Sequence, residues 1–162
     1  MEKLNKYVLI YKKQLDEGNI QKAYSGIVKY VMKLKSIFKN NHSDKFSIGN
    51  ILQGYMDFTY FYFSNDYLEK QKLKLGLVLN HQEMRFELWL LGRTSDIQRK
   101  YWELLKTTKW NKDKTEMPKY SILESILIEN PDFDNIELLT TQIENRTIQV
   151  SDEIISHLKT IN

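Results

Sequence analysis

The sequence of 162 residues contains no cysteine. This absence excludes disulfide bonds, zinc sites built on thiolates and thiol nucleophiles, and it fits a reducing compartment. No apolar run approaches the roughly 20 residues of a membrane-spanning helix, and the apolar run at residues 7–11 is too short for the core of a signal peptide. We therefore expect a cytoplasmic chain that does not enter a membrane.

Sequence motifs of common catalytic sites are absent as well. The three histidines, His42, His81 and His157, lie far apart in the sequence and form no His-x-x-x-His spacing. No serine occupies a glycine-flanked elbow between a strand and a helix, and no glycine-rich phosphate loop is present. The sequence thus designates no catalytic residue, no metal ligand and no cofactor, and it favours a binding protein over an enzyme.

The chain does contain enough apolar material for a folded core. Hydrophobic residues make up 41% of it, and the 3 Trp, 10 Tyr and 7 Phe argue against disorder. Its length predicts a single domain over residues 1–162. The net charge is uneven, because residues 1–47 carry ten basic and four acidic side chains whereas residues 119–162 carry three and eight. The basic N-terminal surface suits a phosphate or an acidic partner, unless the two ends of the chain neutralise each other.

Apolar residues at helical spacing predict two helices at the N-terminus. The first covers residues 3–16 and ends at Gly18, and the second begins at Ile20 and reaches Phe38. Together they form an antiparallel helical hairpin. The outer side of its second helix carries four lysines: Lys22, Lys29, Lys33 and Lys39.

Alternating residues predict three strands in the middle of the chain, at 54–63, 72–79 and 84–91, with a turn at 80–83. A capping box opens a helix at Ser95, a short helix is predicted over 122–127, and two further helices follow Asp134. The predicted fold class is therefore α+β, with an N-terminal helical hairpin, a three-stranded antiparallel meander and C-terminal helices packed on one side of the sheet.

The turn at residues 80–83 sets a register for the two hairpin strands. Pairing Asn80 with Glu83 places leucines on one face and puts Gly76 opposite Glu87 on the other. If the strand at 54–63 directs its even residues into the core, its odd residues join this second face. A gap beside Gly76 then admits a ligand. The predicted site is a mixed polar and aromatic face made of Tyr55, Asp57, Lys74, Gly76, Arg85, Glu87 and Trp89.

Three functions follow from these patterns. The favoured one is a cytoplasmic binding or regulatory module that holds a small anionic ligand or a protein partner on the mixed face. The alternative is a metal-dependent phosphodiester or nucleotide hydrolase built on Asp57, Glu87 and Lys74. The third is nucleic-acid binding through the four lysines of the second helix. The competing interpretation is that the charged residues only form cross-strand ion pairs and bind nothing. The sequence is also compatible with a homodimer.

Four stretches of the chain carry a resemblance to a known family. They are residues 53–61, 85–90, 98–103 and 130–134. Through them the sequence resembles a family of small uncharacterised bacterial proteins classed as a domain of unknown function, and the likeness runs from about Tyr7 to the last helix. Because the family has no assigned activity, the resemblance implies no catalytic residue.

Overall fold

The computed structural model describes residues 3–161, which fold into a mixed α+β structure. Its elements follow one another as α1 (Leu4–Glu17), α2 (Asn19–His42), β1 (Ser47–Leu52), β2 (Phe58–Ser64), α3 (Asp66–Lys70), β3 (Leu73–Asn80), β4 (Arg85–Gly92), α4 (Ser95–Leu105), β5 (Leu123–Ile128) and α5 (Ile136–Ile161). The predicted N-terminal pair of helices and the C-terminal helical region are present. Among the described residues no helix has the length and apolar character needed to cross a membrane.

The sheet has five antiparallel strands in the order β1-β2-β3-β4-β5, so the prediction of three strands was wrong. Strand β1 was missed because it is an edge strand whose Gly49 and Asn50 weaken the strand signal. Strand β5 occupies the segment predicted as a helix over 122–127. Its Leu123 and Leu127 are buried, a spacing that fits either a helix or a strand, and pairing with β4 decides between them.

The register of the β3–β4 hairpin differs by two residues from the prediction. Asn80 pairs with Arg85, so the loop contains four residues, 81–84, instead of two. The Asn80 side-chain oxygen accepts the Glu83 backbone N–H at 3.1 Å, and Met84 closes the loop with a φ of 46°. Since side chains alternate with a period of two, the leucines stay on the core face.

The face assignment of β2 was wrong. Phe61 and Phe63 are buried in the main core opposite Leu77 and Leu75, and the even residues lie on the other face. The strand also begins later than predicted, at Phe58, because the chain bends at residues 55–57 after Gly54. Tyr55 and Asp57 therefore belong to a turn and not to the strand.

Helices α2, α3, α4 and α5 supply the helical part of one core on a single side of the sheet. Leu34 and Phe38 of α2, Tyr101 of α4 and Ile143 of α5 are almost completely buried there against the leucines of β3 and β4. Helix α5 runs without a break over 26 residues, in place of the two helices predicted after Asp134. Helix α4 is capped by Thr94, whose hydroxyl accepts the Ile97 N–H, one residue before the predicted cap.

Candidate functional site

The second face of the sheet carries a smaller hydrophobic cluster made of strand residues. Val78, Trp89 and Leu91 make a small buried cluster there. Three half-buried rings of β2, those of Phe58, Tyr60 and Tyr62, pack against it. Every buried helix residue of the described chain that joins a hydrophobic cluster belongs to the opposite face, so this face is not covered by helices.

A cleft of about 320 Å³ lies on this open face. The Trp89 and Phe58 rings meet edge to face at 5.0 Å, and the Tyr120 ring approaches Phe58 at 6.2 Å from the loop that follows α4. We call it the aromatic cleft, and its walls are Gly54, Asp57, Phe58, Tyr60, Tyr62, Trp89, Leu91 and Tyr120. Its mainly aromatic lining with few polar groups is typical of small-molecule sites.

One end of the aromatic cleft is positively charged. A neighbouring cavity of about 400 Å³ shares Tyr62, Leu91 and Tyr120 with the cleft and adds three cations, which we call the basic rim: Lys74, Arg93 and Lys119. The Arg93 guanidinium is paired with Glu69. Lys74 is different, because no carboxylate oxygen of residues 3–161 lies within 4 Å of its Nζ.

The Lys74 ammonium group instead lies over the Tyr62 ring, 3.7 Å from its centroid. Burial lowers the pKa of Lys74, and the nearby charge of Arg93 lowers it further. Burial also raises the pKa of Tyr62 to about 12, so its hydroxyl remains neutral. The lysine therefore presents a partly desolvated charge at the end of an aromatic wall.

A tight turn closes the opposite end of the cleft. Asp57 Oδ1 accepts the backbone N–H groups of Tyr55 at 2.8 Å and Phe58 at 2.7 Å, and these two bonds lower the pKa of Asp57. Gly54 has a φ of 71°, and a Cβ at this position would lie 2.1 Å from the Phe58 carbonyl oxygen. Only glycine fits here, since the strained backbone and the contact both exclude a side chain.

The carboxylate of Glu87 holds one wall of the cleft in place. The side chain is 1% exposed, and its Oε2 accepts the Trp89 indole N–H at 2.7 Å. Its Oε1 accepts Arg85 Nε at 2.6 Å and Asn80 Nδ2 at 3.2 Å. Because both oxygens are engaged, Glu87 orients the Trp89 ring and does not line the cleft.

The structure brings together three of the residues that the sequence nominated. Asp57 and Trp89 line the aromatic cleft, and Lys74 stands at its end. The predicted gap at Gly76 is absent, because Gly76 faces Trp89 in the register and the Tyr62 ring occupies the space beside it.

The other nominated residues lie outside the cleft. Tyr55 is 93% exposed in the turn, and Arg85 pairs with Glu87 two residues along its own strand, not across strands. Sequence reasoning missed eight wall or rim residues, namely Gly54, Phe58, Tyr60, Tyr62, Leu91, Arg93, Lys119 and Tyr120. Phe58, Tyr60 and Tyr62 were missed because β2 was assigned to the wrong face.

The four lysines proposed for nucleic acid are all exposed on α2. Lys22, Lys29 and Lys33 are spaced by seven and four residues, so they form one stripe. Lys39 is rotated from this stripe by about 100°. The residues therefore give a basic stripe of three side chains, and no further contact in the structure tests a role in binding.

His81 links the turn of the cleft to the β3–β4 loop and makes stability depend on pH. Thr59 donates its hydroxyl proton to the Gln53 carbonyl, so His81 Nε2 must donate to Thr59 Oγ1 at 2.7 Å. Burial lowers the pKa of His81 below 6.5, which outweighs the opposing effect of Asp57. The unfolded chain then binds more protons just below pH 6.5, and the free energy of unfolding falls as the pH decreases through this region.

We expect the His81→Gln variant, which retains a donor for Thr59, to lose part of this pH dependence. The measurement is urea unfolding at pH 7 and pH 5 for both chains. The difference between the two pH values is expected to be smaller in the variant. Equal differences would show that His81 titrates as it does in the unfolded chain.

Comparison with known proteins gives a family and no function. The model of a family described as a domain of unknown function, DUF7000, matches residues 4–158. This range agrees with the extent of the resemblance predicted from the sequence. No curated protein and no solved structure matches the chain.

Proposed function

We propose that this chain, which belongs to the DUF7000 family of domains of unknown function, is a cytoplasmic binding module that holds a small anionic ligand in the aromatic cleft. The ligand class is a planar apolar group that carries a carboxylate or a phosphate. The planar part contacts Phe58, Trp89 and Tyr120, and the anion meets the basic rim at Lys74.

The observation that carries this proposal is the half-buried Lys74 ammonium without a counterion. Removing a charge from water is unfavourable unless the charge is paired. The face of Tyr62 compensates part of this cost through a cation–π contact. The pKa of Lys74 is nevertheless lowered by burial, so the charged form is less favoured here than it is in water. An anion bound beside Nζ supplies the missing partner.

Two further features support the same ligand class. The cavity at the basic rim includes Thr94 and Ser95, so the first turn of α4 adds the positive end of its helix dipole. The aromatic cleft of about 320 Å³ is at the small end of the range of ligand pockets, which suits a single ring with a substituent.

Three fragments test the ligand class: benzoate, phenol and inorganic phosphate. Because benzoate combines the ring with the anion, we expect it to bind more tightly than phenol or phosphate alone. Saturation-transfer NMR measures the two aromatic fragments, and competition against benzoate measures phosphate. Equal affinity for phenol and benzoate would remove the anion from the proposal.

The Lys74→Gln variant is expected to bind benzoate at least tenfold more weakly, because a charge-assisted contact contributes about 1.5–3 kcal/mol. Lys70→Gln is the matched control, since Lys70 is exposed on α3 and lines neither cavity. Unfolding curves check that both variants are folded. Undiminished benzoate binding in Lys74→Gln would contradict the proposal.

The other functions stay predictions that no contact favours. For the hydrolase, both oxygens of Glu87 are already engaged, and residues 3–161 contain no group of three or more acidic or histidine side chains that could share a metal ion. For nucleic acid, the support is limited to a stripe of three exposed lysines on α2. A protein partner on the mixed face would compete with benzoate for the aromatic cleft.

A further inference from the structure

The aromatic cleft and the cavity at the basic rim form one groove across the open face of the sheet. They share the walls made by Tyr62, Leu91 and Tyr120. Phe58 lines the cleft but not the rim cavity, whereas Tyr62 lies where the two meet. These two residues are four positions apart on β2, which is roughly 13 Å at the rise of an extended strand. The cleft alone suits a single ring, but the whole groove admits a longer ligand.

Strand pairing shows which part of the groove benzoate occupies. Gly76 pairs with Tyr62 on β2 and with Trp89 on β4, so the two rings stand in one row across the sheet. Benzoate beside Trp89 is therefore within reach of the Lys74 ammonium group, which lies over Tyr62. The end of the cleft at Asp57 then remains for a further part of the ligand.

This end of the cleft offers a hydrogen-bond acceptor. Asp57 is exposed and lines the cleft, and the bonds from the backbone N–H groups of Tyr55 and Phe58 use only one of its oxygens, Oδ1. These bonds hold the carboxylate in place and lower its pKa, so it is ionised at neutral pH. Because an ionised carboxylate only accepts hydrogen bonds, its second oxygen suits a donor on the ligand, such as an amino group.

The charge of the basic rim matches a phosphate better than a carboxylate. Lys74, Arg93 and Lys119 supply three positive charges, and Glu69, the partner of Arg93, supplies one negative charge, which leaves +2. A phosphate monoester carries about −1.5 to −2 at pH 7, whereas a carboxylate carries a single negative charge. A phosphate therefore balances the rim, and a carboxylate leaves part of its charge uncompensated.

The opposite charges at the two ends of the groove argue against a polyanionic strand. Of the residues that the structure describes around the two cavities, the cations all lie at the rim, and the only charged wall of the aromatic cleft is Asp57. A single-stranded nucleic acid carries a phosphate at every nucleotide and binds to cations along its whole path. The groove instead fits a ligand with its anion at one end and a hydrogen-bond donor at the other.

We infer that the ligand is an adenine nucleoside monophosphate, an identification that rests on the function proposed above. Its base stacks on the aromatic wall at Phe58, with the amino group at Asp57. Its phosphate lies at the basic rim beside Lys74, and the ribose crosses Tyr62 between the two ends. A nucleotide thus occupies both ends of the groove, which benzoate does not.

Adenine is the base that matches the Asp57 end. Guanine presents two adjacent N–H donors, one on its ring and one on its amino group, and both oxygens of a carboxylate are needed to accept them. Oδ1 of Asp57 is already engaged, so a base with an amino group as its single donor fits. Adenine and cytosine have such an amino group, and the larger adenine covers more of the span between Phe58 and Tyr62.

Isothermal titration calorimetry of the full chain with three phosphates tests the identification. They are adenosine 5′-monophosphate, purine riboside 5′-monophosphate, which lacks only the amino group, and ribose 5-phosphate, which lacks the base. We expect adenosine monophosphate to bind at least tenfold more tightly than either of the others, because each loses a contact at the far end of the groove. Equal affinity for adenosine monophosphate and either of the other two would overturn the proposal.

The Asp57→Asn variant separates the amino-group contact from the turn. Asparagine keeps an oxygen for the backbone N–H groups of Tyr55 and Phe58 but replaces the second oxygen by a donor. The preference for adenosine monophosphate over purine riboside 5′-monophosphate should therefore fall from at least tenfold to about onefold. Asp113→Asn removes an exposed acid that lines neither cavity and should leave the preference unchanged. An unchanged preference in Asp57→Asn would overturn the assignment of this end.

Benzoate separates this identification from the function on which it rests. If benzoate binds through Lys74 but adenosine monophosphate binds no more tightly, the nucleotide is refuted and the anion site stands. If neither compound binds, both proposals are refuted. A trinucleotide of adenylate that binds at least tenfold more tightly than the monophosphate would identify a nucleic-acid strand as the ligand and overturn the mononucleotide.

Discussion

The Phe61→Ala variant is expected to lose about 4 kcal/mol of unfolding free energy, whereas Tyr60→Ala loses less than about 1.5 kcal/mol. Phe61 is 0% exposed and packs against Phe38 at 5.9 Å and Phe63 at 6.5 Å in the main core. Tyr60 is half-buried on the opposite face of the same strand. Comparing the losses of unfolding free energy in the two variants therefore shows which face of β2 packs in the main core.

Urea unfolding of the two variants measures this difference. Their effects on ligand binding should be opposite to their effects on stability, since Tyr60 lines the aromatic cleft and Phe61 does not. Tyr60→Ala is expected to weaken benzoate binding while Phe61→Ala, at temperatures where it is folded, retains it. A larger loss of stability in Tyr60→Ala would instead support the face assignment predicted from the sequence.

The Glu87→Ala variant is expected to lose about 3 kcal/mol. The substitution removes the acceptor of the buried Trp89 indole N–H and leaves Arg85, which is one quarter exposed, without its partner at 2.6 Å. Glu87→Gln keeps an oxygen acceptor and nearly the same shape, so a loss of only about 1–2 kcal/mol is expected.

Glu83→Ala is the control for Glu87. Its carboxylate is half-exposed and lies 3.9 Å from Arg85, so its removal should change the unfolding free energy by less than about 1 kcal/mol. Chemical denaturation of the three variants measures the series. Equal losses for Glu83→Ala and Glu87→Ala would show that the contacts of Glu87 contribute nothing specific.

The parts of the fold that were predictable have a clear contrast between polar and apolar positions. In β3 the odd residues 73, 75, 77 and 79 are all leucine, so the core face follows at once. The helical periodicity of α2 is equally plain. Strand β2 offers no such contrast, because both of its faces carry rings, and the choice between Phe61 and Tyr60 depends on which face α2 covers.

The cleft could be predicted only in part. Trp89 and Lys74 followed from alternation along β3 and β4, since a two-residue error in register leaves a side chain on the same face. Tyr120 could not be found in this way, because its contact with Phe58 joins residues far apart in sequence through a loop without periodicity. The four-residue turn after Asn80 was missed because the alternation of polar and apolar residues carries no information about the hydrogen bond from the Glu83 N–H to the Asn80 side chain.

The central claim is that the aromatic cleft binds an anion through Lys74, and the indole N–H signals test it most directly. The chain has three tryptophans, of which Trp89 lines the cleft while Trp102 and Trp110 do not. In a benzoate titration followed by ¹H–¹⁵N NMR, the Trp89 indole signal should shift with saturation, and this shift should be lost in Lys74→Gln. The Trp102 and Trp110 signals should stay in place. A Trp89 signal that does not move, or that moves equally in Lys74→Gln, would contradict the claim.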